Sequence, residues 1–344
     1  MRLVRTSFLA TTILVTSATL AKADVKVVAS IKPVHSLVSA VMQGVGTPDL
    51  LVKGAGSPHT YSLKPSQAQQ LQDADLVFWM SHDLEAFLEN SIESIATKAR
   101  SVPLMESHGL TKLNFREGGA FEDHGHDDHA DEKHDDHGHD DHADEKHDDH
   151  GHDDHADEKH DDHGHDDHGH DEVDPHVWLD PVNAKALVHE IEEALAEADP
   201  ENAATYESNA EAVMAKLDDL VAEIDAELAP VKDRGYVVFH DAYQYFENRF
   251  GVSAIGSITV SPEVLPGAER VSELQEKVRS LDATCVFSEP QFEPKLVATI
   301  TENTNAGSGV LDPLGASLAD GPTLYFGLLR NMARSLKECL MKVS

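Results

Sequence analysis

Three histidines and one aspartate, far apart along the chain, make up a donor set that suits zinc. They are His59 in GSPHTYSLKPS, His176 in DPHVWLDP, His240 directly after YVVF, and Asp312 directly after GVL. Three imidazoles with one carboxylate fit a tetrahedral zinc site with bonds of about 2.0 to 2.2 Å. Nitrogen donors tilt such a site away from manganese and toward zinc, copper or nickel. The Irving–Williams order favours copper(II), so donor type alone leaves copper open. Water is the alternative to Asp312 in the fourth position. Each histidine taken singly reads as structural or exposed; a common position, at or beyond the end of a strand, makes them a set.

A second store of imidazole lies between Glu122 and Glu172. The unit HGHDDHADEKHDD starts at His124 and recurs from His137 and His150, with a partial copy from His163. The run holds 16 of the chain's 23 histidines, 24 acidic residues and three lysines, and nothing apolar larger than alanine. A segment with so little to bury forms no core and is expected to be disordered. Its carboxylates concentrate divalent cations and its imidazoles ligate them. Ordering flexible ligands costs entropy, so sites here are expected to be weaker than a preformed one. The run reads as a collector of ions, with a solvated acidic linker as the bland alternative.

The elements that must position the four ligands alternate. Strand patterns at Val25 to Ile31, from Asp49, from Asp75 and from Val102 are separated by helical patterns at Pro33 to Gly44, Lys64 to Asp73 and Leu84 to Arg100. After the run come a helix from Pro181 to Ala198 and a long helical stretch from Pro200 to about Leu228. The alternation then resumes. Strands start at Tyr236, Val252, Ala283 and Gly309, with helices at Ala242 to Phe250, Gly267 to Ser280, Pro294 to Glu302 and Thr323 to Leu340. Such grammar predicts α/β architecture: two Rossmann-like lobes with parallel sheets, joined by a single long connector helix. The expected boundaries are an N-terminal lobe at 24–199 carrying the insert at 122–172, a connector at 200–229 and a C-terminal lobe at 230–344. Ligands of open parallel sheets bind beyond the carboxyl ends of the strands, so the metal is expected in the cleft between the lobes.

Charge and address narrow the partners. The formal net charge is -36. The run accounts for -21 of it (24 acidic residues against three lysines), which excludes nucleic acid as a natural partner and suits cations. The opening MRLVRTSFLATTILVTSATLAKA has Arg2 and Arg5 before a short apolar stretch and ends in Ala21-Lys22-Ala23. It reads as a signal peptide at 1–23, which implies a periplasmic protein with no membrane insertion of the mature chain. Cys285 and Cys339 are either buried thiols or, in an oxidising compartment, a bridge worth about 4 kcal/mol in the chain-entropy model.

The segments HTYSLKPS, DPHVWLDP, FHDAYQYF, TVSPEVLPGAER, ATCVFSEPQF and LDPLG resemble those of the ZnuA family, the zinc-binding component of a bacterial ABC importer in the cluster A-I group. The resemblance covers nearly the whole mature chain. It implies two α/β domains joined by a rigid helix, zinc in the cleft, and delivery to a membrane permease by a monomer that is not an enzyme. It also implies that His59, His176 and His240 are the zinc ligands and that Asp312 matches a carboxylate used by manganese-binding members. Some zinc members carry a glutamate immediately before the first histidine, where this chain has Pro58. The two cysteines match a pair that forms a disulfide in similar zinc binders. A manganese- or copper-binding protein or a metal buffer is the alternative; a zinc hydrolase lacks an evident general base in a motif such as HExxH. Among the remaining polar residues, Glu289 is expected to hydrogen-bond near the metal, and His35, His82, His108 and His189 are expected to lie outside the coordination set.

Overall fold

The computed structural model describes residues 25–116, 121, 173–259, 268–281, 285–292, 294–302 and 304–342. The expected signal peptide at 1–23 and the histidine-rich insert at 122–172 lie outside the described residues. The chain divides into two compact units. The first holds the described residues within Met1–Gly109, Ala184–Val221 and Leu314–Leu328, and the second those within Leu110–Asn183, Ala222–Pro313 and Leu329–Ser344.

In the first unit, β1 (Val27–Ala29), β2 (Asp49–Leu50), β3 (Leu76–Trp79) and β4 (Arg100–Pro103) form a parallel sheet in the order β2-β1-β3-β4. Strands β1 and β3 are buried throughout, as the central strands of a helix-covered parallel sheet must be. The helices between them are α1 (Lys32–Val41), α2 (Pro65–Asp73) and α3 (Ala86–Ser94). Pro33 and Pro65 stand in first turns, where the missing N–H has no intrahelical partner to lose. Leu71, Val77, Trp79, Leu88 and Ile92 pack together as one core cluster.

The boundaries of α3 depart from the sequence pattern, which runs a helix from Leu84 to Arg100. The Arg100 N–H donates to the Asp75 carbonyl at 2.9 Å, which draws this residue into β4. At the other end the Glu85 carboxylate accepts the N–H groups of Met80 at 2.8 Å and Ser81 at 3.2 Å, closing a turn before α3 begins.

Two helices follow, α4 (Pro181–Ala198) and α5 (Ala203–Leu228). The 26 residues of α5 span about 39 Å at 1.5 Å per residue, and the helix passes from the first unit to the second after Val221. The second unit repeats the α/β alternation with β5 (Tyr236–His240), α6 (Gln244–Phe250), β6 (Ala254–Thr259), α7 (Ala268–Ser280), β7 (Cys285–Ser288), α8 (Pro294–Thr301), β8 (Gly307–Val310) and α9 (Leu324–Lys342). Its sheet is parallel in the order β6-β5-β7-β8. Strand β8 starts two residues before the expected Gly309. Glycine is needed there, because a Cβ would fall 2.5 Å from the Phe287 ring of β7. A disulfide between Cys285 and Cys339, with Cα atoms 6.2 Å apart, ties β7 to α9. Among the described residues, no helix is long and apolar enough to cross a membrane.

Burial pushes the Glu85 carboxyl up to about 7 from its ordinary 4.5, against the two N–H groups that favour its ionised form. The folded state therefore keeps a proton that the unfolded chain releases. Its contribution is fully present below pH 4.5 and is lost as pH rises through 7, a swing of about 3 kcal/mol (2.5 units at 1.36 each). Glu85→Gln, which cannot ionise, is expected to flatten the fall in stability between pH 5 and pH 8. Urea midpoints at the two pH values check this.

Candidate metal centre

His240 is the last residue of β5, a strand buried along its whole length. The chain turns sharply after it, the Ala242 N–H donating to the His240 carbonyl at 3.0 Å, and α6 starts only at Gln244. Because β7 lies beside β5 in the sheet, the residue that follows β7, Glu289, comes up next to His240. Glu289 Oε1 is 2.7 Å from His240 Nδ1, and both side chains are buried. Donation of Nδ1–H to this carboxylate fixes the tautomer and makes Nε2 the ring atom able to ligate.

His176 is built the same way by local chain geometry. Asp174, fully buried, accepts both the His176 backbone N–H at 2.9 Å and ring Nδ1 at 2.6 Å on the same oxygen. The other Asp174 oxygen accepts Gln244 Nε2 at 2.7 Å, and the Tyr245 hydroxyl donates to the Asp174 carbonyl at 2.8 Å. The rings of His176 and His240 stand edge-on, with centroids 5.4 Å apart. Trp178 lies 5.1 Å from His176, and Tyr243 and Phe292 lie 6.3 and 5.7 Å from His240, so aromatic surface walls the pair. The Trp178 indole donates to the Pro313 carbonyl at 2.9 Å, which anchors the wall to the segment after β8.

Burial disfavours a charged His240, but the Glu289 carboxylate beside it outweighs that effect, and Asp241 and Asp174 add to it, so the pKa is raised. The same negative field that favours a proton on this ring favours a metal cation beside it.

The second unit thus brings His176 and His240 together. Asp312 belongs to the same unit, lies two residues past the end of β8, is half-buried, and accepts Gln291 Nε2 at 3.1 Å. His59 belongs to the first unit, in a single 3₁₀ turn at Pro58–Thr60 past β2, and is half-buried. Its loop is pinned by Gln67, whose amide donates to the Leu51 carbonyl at 2.6 Å and to the Tyr61 hydroxyl at 2.8 Å. The other histidines have different work: His35 Nε2 is 3.1 Å from the Pro48 carbonyl in the interior, while exposed His82 and His189 sit beside Glu89 and beside Glu192 and Glu193. His108 is exposed. Sequence reasoning picked out Glu289 but passed over Asp174 and Gln244. The signal for Asp174 was its place two residues before a candidate ligand, where an aspartate can reach the next backbone N–H but one.

Residues 27–339 match the sequence profile of the family described as ZnuA, zinc-uptake complex component A, periplasmic. The chain belongs to the ZnuA family. The ZnuA of Brucella suis biovar 1 (strain 1330), described as a high-affinity zinc uptake system protein, is 59% identical over 316 residues, covering 92% of each chain. The ZnuA protein of Haemophilus influenzae, with the same description, is 40% identical over 326 residues, covering 93% of this chain and 94% of its own. A crystal structure of ZnuA aligns with a TM-score of 0.67 at 22% identity, covering 92% of this chain and 99% of that one. A zinc-bound ZnuA deletion mutant lacking 138-173 aligns with a TM-score of 0.64 at 22% identity, covering 92% and 97%. At these identities the two structures speak for a shared ZnuA fold: two α/β lobes with parallel four-stranded sheets and a long helix.

Carboxylates that orient a ligating histidine typically matter 10- to 100-fold in metal affinity. Asp174→Asn and Glu289→Gln are each expected to weaken zinc binding by about that factor. Competition against a chromophoric chelator measures it.

Proposed function

We propose that the chain captures one zinc ion as cargo through His59, His176 and His240 and delivers it to the membrane permease of an ABC importer. Asp312 or water supplies the fourth donor. The observation that carries this reading is the pair of buried imidazoles 5.4 Å apart, each with Nδ1 held by a buried carboxylate, in a member of the ZnuA family. Two oriented nitrogens with a nearby carboxylate field suit a divalent cation of borderline softness. The role is binding and transfer, with no bond of a substrate made or broken.

The histidine-rich insert is proposed as a weaker collector that raises the local zinc concentration, so that transfer into the preorganised site runs downhill. Imidazole must be neutral to ligate, so zinc binding at both places is expected to weaken as pH falls through the histidine range.

Two titrations test the proposal. Alanine at His59, His176 and His240 together is expected to abolish the tight equivalent of zinc seen by isothermal titration; its retention would overturn the ligand assignment. Deletion of 122–172 is expected to remove several weak equivalents and leave the tight one. Because each doubling of loop length costs only about 0.6 kcal/mol, the deletion is expected to fold normally.

A further inference from the structure

The histidine-rich run is flanked in sequence by two short segments of the second unit that are stitched to each other. Asn114 and Val173 form an antiparallel bridge, and the Asp174 N–H donates to the Leu113 carbonyl at 2.9 Å. Each side of this stem also grips a neighbour of a proposed zinc ligand. On the incoming side the Arg116 guanidinium clasps the carboxylate of Asp241, the residue after His240, with its Nε at 2.9 Å. The same guanidinium donates to Glu247 of α6 at 2.6 Å and lies 4.1 Å over the Phe121 ring, the last described residue before the insert. On the outgoing side Asp174 carries His176.

One side chain joins the two sides. Gln244 Nε2, at the start of α6, donates both to the Asn114 carbonyl at 3.0 Å and to Asp174 Oδ2 at 2.7 Å. The Tyr245 hydroxyl completes the stitch, accepting the Leu113 N–H at 2.9 Å and donating to the Asp174 carbonyl. Neither Gln244 nor Arg116 is among the proposed ligands, yet one fixes the carboxylate behind His176 and the other fixes the backbone step after His240. Gln244 is buried and Arg116 half-buried, and each donates to a carboxylate, the stronger class of hydrogen bond.

We infer that Gln244 and Arg116 are positioning residues of the metal centre: they lock the stem of the insert against α6 and thereby set the placement of His176 and His240. The inference rests on the reading of those two histidines as zinc ligands. It makes the stem part of the machinery that determines affinity, whereas the insert it carries is dispensable for the tight site. Loss of Gln244 frees Asp174 to rotate and His176 with it. Loss of the bidentate Arg116 contact frees the turn at Asp241.

The test uses the full-length chain with Gln244→Ala and Arg116→Lys, the second keeping the charge but losing the two-pronged grip. Both are expected to speed zinc release and weaken binding about 10-fold or more. Both are also expected to change the visible d–d spectrum of the cobalt-substituted protein at saturating cobalt. A merely structural role would lower the melting temperature and leave the saturated cobalt spectrum and the zinc affinity at their wild-type values; that result overturns the inference. Should Gln244→Ala not fold, Arg116→Lys decides by the same two readouts. His176→Ala and His240→Ala serve as references: if neither loses affinity, the ligand reading itself fails, whereas loss in these two with wild-type behaviour in Gln244→Ala and Arg116→Lys rejects the positioning role alone.

Discussion

The arrangement of the two buried imidazoles depends on a carboxylate behind each. Asp174 holds His176 and Glu289 holds His240, each contact reaching Nδ1 and each pair removed from water. A buried carboxylate is costly unless its charge is met, and a neutral imidazole meets it only with a hydrogen bond. Two such pairs leave two negative charges to be balanced by whatever binds the opposite ring nitrogens. Nearby Arg116 does not supply that balance, because it is already engaged by Asp241 and Glu247. A dication bound there would offset these two charges.

Sheet order then accounts for how residues remote in sequence meet. Placing β5 between β6 and β7 sets the carboxyl end of one strand beside that of the next, so His240 and Glu289, 49 residues apart, become hydrogen-bonded neighbours. The pairing of β7 with β8 likewise brings Gln291 against Asp312. Local chain geometry does the same for His176 over only two residues. The two histidines of this unit are therefore held by independent means, one topological and one local, and joined through Gln244 and the stem.

Much of this was legible in the residues. A strand such as YVVF announces itself by composition, and the rule that ligands gather beyond strand ends needs nothing more, so His240, Asp312 and Glu289 could be singled out. The prolines in the first turns marked α1 and α2 for the same reason: they act locally. The end of α3 was illegible because the Arg100 N–H finds its acceptor on Asp75, a long-range choice that no helical periodicity records. Asp174 and Gln244 escaped for a related reason. Their importance lies in what they touch across 70 residues of sequence, and aspartate and glutamine are ordinary surface types. The bridge between Asn114 and Val173 spans the histidine-rich run, whose composition drew attention away from its ends.

The first unit closes on a late piece of chain. Lys32 at the start of α1 donates to the carbonyls of Ala316 at 3.2 Å and Leu318 at 2.8 Å, and Ser36 donates to that of Gly321 at 2.8 Å. A polypeptide delivered from its N-terminus onward must keep α1 waiting, with a buried lysine lacking its acceptors, until nearly three hundred further residues have arrived. Completion of this unit is thereby tied to the emergence of almost the entire molecule, and a chain arrested midway leaves the partnership of α1 unmade.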